Sequence, residues 1–114
     1  MKTEYNKIKH AIGYTSARPI PSSAELNDFY NKLYYQKPQS TTYQEQYDPE
    51  EIQFKNLRSN CLLRALSMAN CTYGDFLDIG AGEGFLMKAA SESGFNVTGT
   101  DFSSHGIEKF FPEI

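Results

Sequence analysis

The sequence predicts an α/β fold in which a helical lead-in precedes the first βαβ unit of a parallel sheet. Three observations carry this expectation. Two strand-like stretches, Asp75–Ile79 and Phe95–Thr100, flank a helical one, all within the 27 residues from Asp75 to Asp101. Three glycines at alternate positions, Gly80, Gly82 and Gly84, join the first stretch to the helix. Upstream, two helix-start signatures precede any strand-like stretch. Strands joined through a helix run parallel, and the crossover is right-handed.

The elements follow in order. Residues 1–21 are polar and end in Arg18-Pro19-Ile20-Pro21, which favours extended backbone and reads as an arm. Ser22-Ser23-Ala24-Glu25 has the form of a capping box, a hydroxyl followed three residues later by a carboxylate that reaches back to the first amide. The short helix it starts carries Leu26, Phe29, Tyr30 and Leu33 on one face. Residues 35–47 hold no period and read as a loop. Asp48-Pro49-Glu50-Glu51 supplies an N-cap, a proline at the first helical position and two carboxylates for the helix dipole. That helix is expected to reach about Asn70, burying Ile52, Leu57, Cys61, Leu62, Ala65, Leu66 and Ala69 and turning Lys55, Arg58 and Arg64 away.

From Tyr73 the pattern changes. The first strand leads into the glycine loop 80–84, and a helix from Phe85 to Ser93 stops at Gly94. The second strand alternates apolar with polar residues and ends at Asp101. Ser103 or Ser104 can cap a last short helix that Pro112 closes. The organisation expected is an arm, helix and loop over residues 1–47 and the start of a ligand-binding domain over 48–114.

Composition narrows the function classes. There are 11 basic and 14 acidic side chains; residues 1–64 carry nine and seven, residues 65–114 two and seven. No basic stripe of the kind nucleic acid requires is present, so a nucleic-acid partner is not expected. Apolar runs of two or three residues are far too short to cross a membrane, and the charged N-terminus carries no readable secretory signal, so a cytoplasmic location is the default. Cys61 and Cys71 have neither zinc-ligand spacing nor a disulfide framework and read as packing residues; no metal site is expected. His10 and His105 lack ligand-spaced partners and read as surface residues.

The chemistry lies in Asp78, Gly80, Gly82, Gly84 and Asp101. A loop after the first strand of a βαβ unit can aim backbone amides at a ligand, and glycines let the ligand approach the main chain. An acid ending the second strand, 21 positions after Gly80, is placed to accept hydrogen bonds from a ribose diol. An adenosine-bearing cofactor is the natural ligand. The spacing is G-x-G-x-G, and Phe85 stands where the dinucleotide pattern needs its third glycine. Asp78 and Glu83 would repel a pyrophosphate and suit an ammonium group, and no Gly-Lys-Ser/Thr follows for a P-loop.

The run from Phe76 to Phe85, Phe-Leu-Asp-Ile-Gly-Ala-Gly-Glu-Gly-Phe, continued by Val97-Thr98-Gly99-Thr100-Asp101-Phe102-Ser103, resembles the first two cofactor motifs of class I S-adenosyl-L-methionine (SAM)-dependent methyltransferases. The resemblance implies a Rossmann-like fold. It implies that Asp78 and the loop Gly80, Ala81, Gly82 and Gly84 hold the methionine end of the cofactor. It further implies that Asp101 holds the ribose and Phe102 lies beside the adenine. It covers two strands of a seven-strand sheet, so the chain is expected to be the N-terminal portion of a domain about twice as long, inactive alone, with no catalytic base in view. The lead-in from Arg18 to Leu26, with Phe29-Tyr30 and Tyr34-Tyr35, is similar to that of bacterial methyltransferases acting on sugars or polysaccharide precursors, which implies a sugar or small-molecule acceptor.

Other readings stay open. The glycines could form only a tight turn, and Asp101 only a cap for the following helix. Phe85 and Leu86 read as core-facing rather than cofactor-facing. Tyr30, Tyr34, Tyr35, Tyr43 and Tyr47 read first as packing, with a substrate platform as the alternative. The chain could instead be a small non-catalytic α/β binding or interaction module that completes its sheet by pairing with another copy or another chain through an unpaired edge.

Overall fold

The computed structural model describes residues 4–34 and 46–114. The chain is mixed α/β with two small sheets. An antiparallel hairpin of β1 (Asn6–Lys9) and β2 (Thr15–Arg18) comes first. Then come α1 (Ser23–Phe29), a π-helical turn (Tyr30–Tyr34), α2 (Pro49–Met68), β3 (Gly74–Ile79), α3 (Phe85–Glu92), β4 (Phe95–Thr100) and α4 (His105–Phe110). β3 and β4 pair in parallel with Phe76 opposite Val97 and Asp78 opposite Gly99, giving the expected βαβ unit.

The hairpin adds an unexpected strand pairing to the reading of residues 1–21 as an extended arm. Its strands are short, exposed and polar, so no hydrophobic alternation announces them. His10 belongs to its closure: the ring bonds to Ser16 Oγ at 2.8 Å and stacks on Tyr14 with centroids 4.1 Å apart. Both expected capping boxes are present, Ser22 with Glu25 and Asp48 with Glu51. The loop read at 35–47, with Tyr35 and Tyr43, lies outside the described residues except for its last two positions.

The face that α2 turns inward differs from the expected one. Its less exposed positions are Glu51, Lys55, Ser59, Leu63 and Leu66, whereas Ile52, Leu57, Cys61 and Leu62 are exposed. The reason is chemical: α2 packs on the glycine loop and α3 through a charged residue and a small hydroxyl, so apolar periodicity points to the wrong stripe. Neither Cys61 nor Cys71 is a packing residue; both are exposed thiols.

The core is thin and lies between α3 and the sheet. Met87 and Ala90 of α3 are its buried apolar side chains among the described residues. Gly99 of β4 makes room for α3, since a Cβ there would stand 2.4 Å from Met87 Sδ. Phe76 and Phe95 meet edge to face on the same side. On the opposite side of the sheet Leu77 and Ile79 are 59% and 80% exposed, and among the described residues neither outer strand edge has a partner.

The N-cap position of α4 is Ser104, whose side chain makes no cap bond, while Ser103 Oγ, one residue earlier, accepts the His105 N–H at 3.2 Å. α4 sits against the glycine loop at Gly106, where a Cβ would meet the Gly82 carbonyl oxygen at 2.6 Å. Alanine ordinarily improves a helix position held by glycine by about 1 kcal/mol. Here the neighbour is backbone and cannot swing aside, so Gly106→Ala is expected to destabilise the fold by about 1–3 kcal/mol, as overpacking does. Urea denaturation checks it; an unchanged or higher midpoint would contradict the close approach.

Candidate functional site

The glycine loop is fixed to the end of β4 by its own amides. The N–H groups of Gly80 and Ala81 both donate to the Thr100 carbonyl, at 2.7 and 3.1 Å. Gly82 N–H donates to Asp101 Oδ2 at 2.8 Å, and Gly84 N–H to the Ala81 carbonyl at 3.0 Å. This corrects the expectation that the loop aims these amides at a ligand. Gly84 enters α3 with φ +83°, a left-handed conformation that disfavours any side chain, and it is packed under Ile107. The turn is therefore structural as well as open to a ligand.

Asp101 does more than cap the segment that follows it. Oδ1 accepts the Ser103 N–H at 3.2 Å while Oδ2 accepts that of Gly82, so the carboxylate ties two loops together and remains exposed. A carboxylate has about four lone-pair directions. Two backbone donors leave room for two hydroxyl donors of a ligand.

Two hollows flank the loop, and Gly80 borders both. The larger, about 590 Å³, brings together Gly82, Asp101 and Phe102 with Ile79 and Thr100 on one side, and Tyr30 and Tyr34 from the π-helical turn on the other. The smaller, about 260 Å³, holds Asp78, Ala81 and Gly84 beneath α2, with Arg58, Ser59 and Leu86. Every sequence-predicted site residue thus lies on one hollow or the other, with Asp78 on the opposite side of the loop from Phe102.

Tyr30 and Tyr34 pack as expected and also border a hollow. They pack on each other and on Phe29, and they also wall the larger hollow. Phe85 packs against Tyr47, Phe110 and Phe111, as a core-facing residue should, yet it also borders the smaller hollow with Leu86.

Glu83 does not bring a bare negative charge to the loop. Its carboxylate takes the Tyr47 hydroxyl on one oxygen and Lys55 Nζ on the other, the latter at 2.7 Å. Lys55 also lies over the Tyr47 ring, 4.2 Å from its centroid. With side chains 24% and 12% exposed, Lys55 and Glu83 form a partly desolvated pair that anchors α2 to the loop. Lys55 therefore does not face away as expected, and no apolar pattern could signal this. Among the described residues no cluster of ligands could hold a metal ion, and no helix is long and apolar enough to cross a membrane.

Asp78 is the site's perturbed acid. Partial burial pushes its carboxyl above the usual carboxylate range, and the neighbouring Asp101 charge adds to the shift. Comparison of the chain with family models, curated proteins and solved structures finds no match.

Because Asp78 holds its proton to higher pH in the folded chain than in the unfolded one, the folded state binds more protons between the ordinary value of 3.8 and the raised one. Its contribution to stability falls as pH rises through that window and stays low above it. Asp78→Asn removes the loss, so the variant is expected to be more stable than wild type at pH 7 and nearly equal to it at pH 3. Thermal melts at the two pH values check this; a variant less stable at pH 7 would refute it.

Proposed function

We propose that the chain contributes the methionine and ribose ends of the cofactor site of a class I SAM-dependent methyltransferase with a Rossmann-like fold. The observation that carries this reading is the pairing of two carboxylates, Asp78 and Asp101, across a glycine loop whose amides at Gly80, Ala81, Gly82 and Gly84 are already satisfied within the chain. A loop so arranged offers acceptors rather than donors. It suits a ligand bearing an ammonium group and a diol, and it disfavours a pyrophosphate.

The residues present fit such a cofactor. Asp101 keeps acceptor capacity for ribose hydroxyls, Phe102 offers an apolar ring face for a base, and Asp78 in the adjoining hollow faces a cation with a negative charge once ionised. A bound cation favours that ionised form, so its affinity rises with pH through the raised Asp78 value. When bound, SAM supplies an electrophilic methyl group on a sulfonium centre. The chain's own contribution is to orient that donor, which in an in-line displacement accounts for much of the acceleration. The acceptor we favour is a sugar or small molecule; a net charge of −3 gives no support to nucleic acid.

A second reading rests on one specific observation, the bare sheet face at Leu77 and Ile79 beside unpaired strand edges. It makes the chain a non-catalytic module that pairs with a second copy of itself through those edges.

Isothermal titration with SAM and S-adenosylhomocysteine tests the first reading. Binding is expected, and Asp101→Ala should weaken it by about 10- to 150-fold, the value of hydrogen bonds to a charged group. Affinity untouched by the substitution would remove the ribose assignment. Size-exclusion chromatography with light scattering tests the second: a cooperative dimer without affinity for either ligand favours the module, and a monomer that binds them excludes it.

A further inference from the structure

The larger hollow has a wall that the glycine loop does not explain. Tyr30 lies parallel to Phe102, with an interplanar angle of 5° and centroids 5.7 Å apart, although the two residues are 72 positions apart in sequence. Edge-on packing by Phe29 and Tyr34, each with its centroid 5.2 Å away, holds the Tyr30 ring from its other sides. The Asn31 side-chain amide donates to the Phe102 carbonyl at 3.4 Å, which aligns the turn on the loop after β4. The turn itself is π-helical, a departure from α geometry that often accompanies functional sites.

We propose that Tyr30 is a base-binding residue: the aromatic base of an adenine nucleoside enters between Tyr30 and Phe102, while Asp101 holds the ribose attached to it. The inference rests on the cofactor reading above and adds a wall from the lead-in segment. Tyr30, Phe102 and Asp101 line the same hollow, so a base admitted between the rings and a diol at the carboxylate would be served from one cavity.

The present ring separation is that of a closed pair. A base between two rings needs about 7 Å between their planes, twice the carbon contact distance, so Tyr30 must withdraw by more than about 1 Å. The segment that carries it is lightly packed. α1 and the π-helical turn bury no residue, and Phe29 and Leu33 remain exposed. Lightly packed elements of this kind open at low free-energy cost. In the closed pair Tyr30 covers the Phe102 face that the base takes, and it then closes on the outer face of the base.

The chain contains no tryptophan, so Tyr30→Trp introduces a single reporter at the proposed stacking position. Its fluorescence is expected to be quenched as S-adenosylhomocysteine saturates the site, and adding Asp101→Ala should suppress the change. By calorimetry, Tyr30→Leu should weaken S-adenosylhomocysteine by about 5- to 150-fold, the range for loss of one base–aromatic stack, while Tyr30→Phe stays within about two-fold of wild type. A residue that merely packs on Phe102 would lower thermal stability when replaced and leave affinity unchanged. Wild-type binding together with undiminished binding by Tyr30→Leu and an unresponsive indole in Tyr30→Trp overturns the role of Tyr30 and leaves the cofactor reading standing. No binding by wild type overturns both.

Discussion

The bond from Gly82 N–H to the Asp101 carboxylate, 2.8 Å long, is the point on which the fold and the candidate site both depend. It closes the crossover by joining the loop after β3 to the end of β4, where Thr100 already receives the amides of Gly80 and Ala81. α4 can pack onto this junction because Gly106 presents no side chain to the Gly82 carbonyl. The same carboxylate then faces the larger hollow. A single residue therefore holds the turn in shape and offers the acceptor a diol would use, so the loop is organised before any ligand arrives.

Electrostatics around the loop follow from where each acid finds a partner. Glu83 is neutralised by Lys55 and Tyr47 at the contact between α2 and the loop. Partial burial raises the cost of ionising Asp78, and the neighbouring Asp101 charge adds to it. Residual negative charge is thus concentrated on the two groups that border the hollows. Such an arrangement is unfavourable for the unliganded protein and would favour a cation placed beside it.

Much of the central unit is legible in the sequence because its signals are local. Ser22 with Glu25 and Asp48 with Glu51 announce their helices within four residues, and Gly94 announces the end of α3. The alternation over Phe95–Thr100 gives β4 with its observed bounds. What sequence reasoning misses is non-local or polar. The hairpin lacks an apolar face, and the inward stripe of α2 contains Lys55, whose partner Glu83 lies in the glycine loop, and Ser59, whose hydroxyl donates to the Lys55 carbonyl. The amides of Gly80 and Ala81 read as ligand donors because their true acceptor, the Thr100 carbonyl, belongs to another strand. Tyr30 reads as packing because its helix face is apolar; only the fold shows that this face meets Phe102.

The polar character of the α2 contact also explains why so much apolar surface is left uncovered. The Lys55–Glu83 pair secures α2 by a directional bond, and the buried Ser59 hydroxyl is satisfied within the helix, which leaves Leu57 and Leu62 exposed. α3 covers one side of the β3–β4 pair and leaves Leu77 and Ile79 on the other. Fully burying a leucine or isoleucine side chain is worth about 1.5–3 kcal/mol, so a layer packed on the bare side, together with strands paired at the open edges, stabilises the unit. Sheet completion is therefore a demand of the fold under either functional reading and cannot discriminate between them. The feature that bears on the choice is on the loop, where Asp78, Asp101 and the Tyr30–Phe102 pair meet no requirement of sheet completion and are the groups on which our cofactor proposal rests.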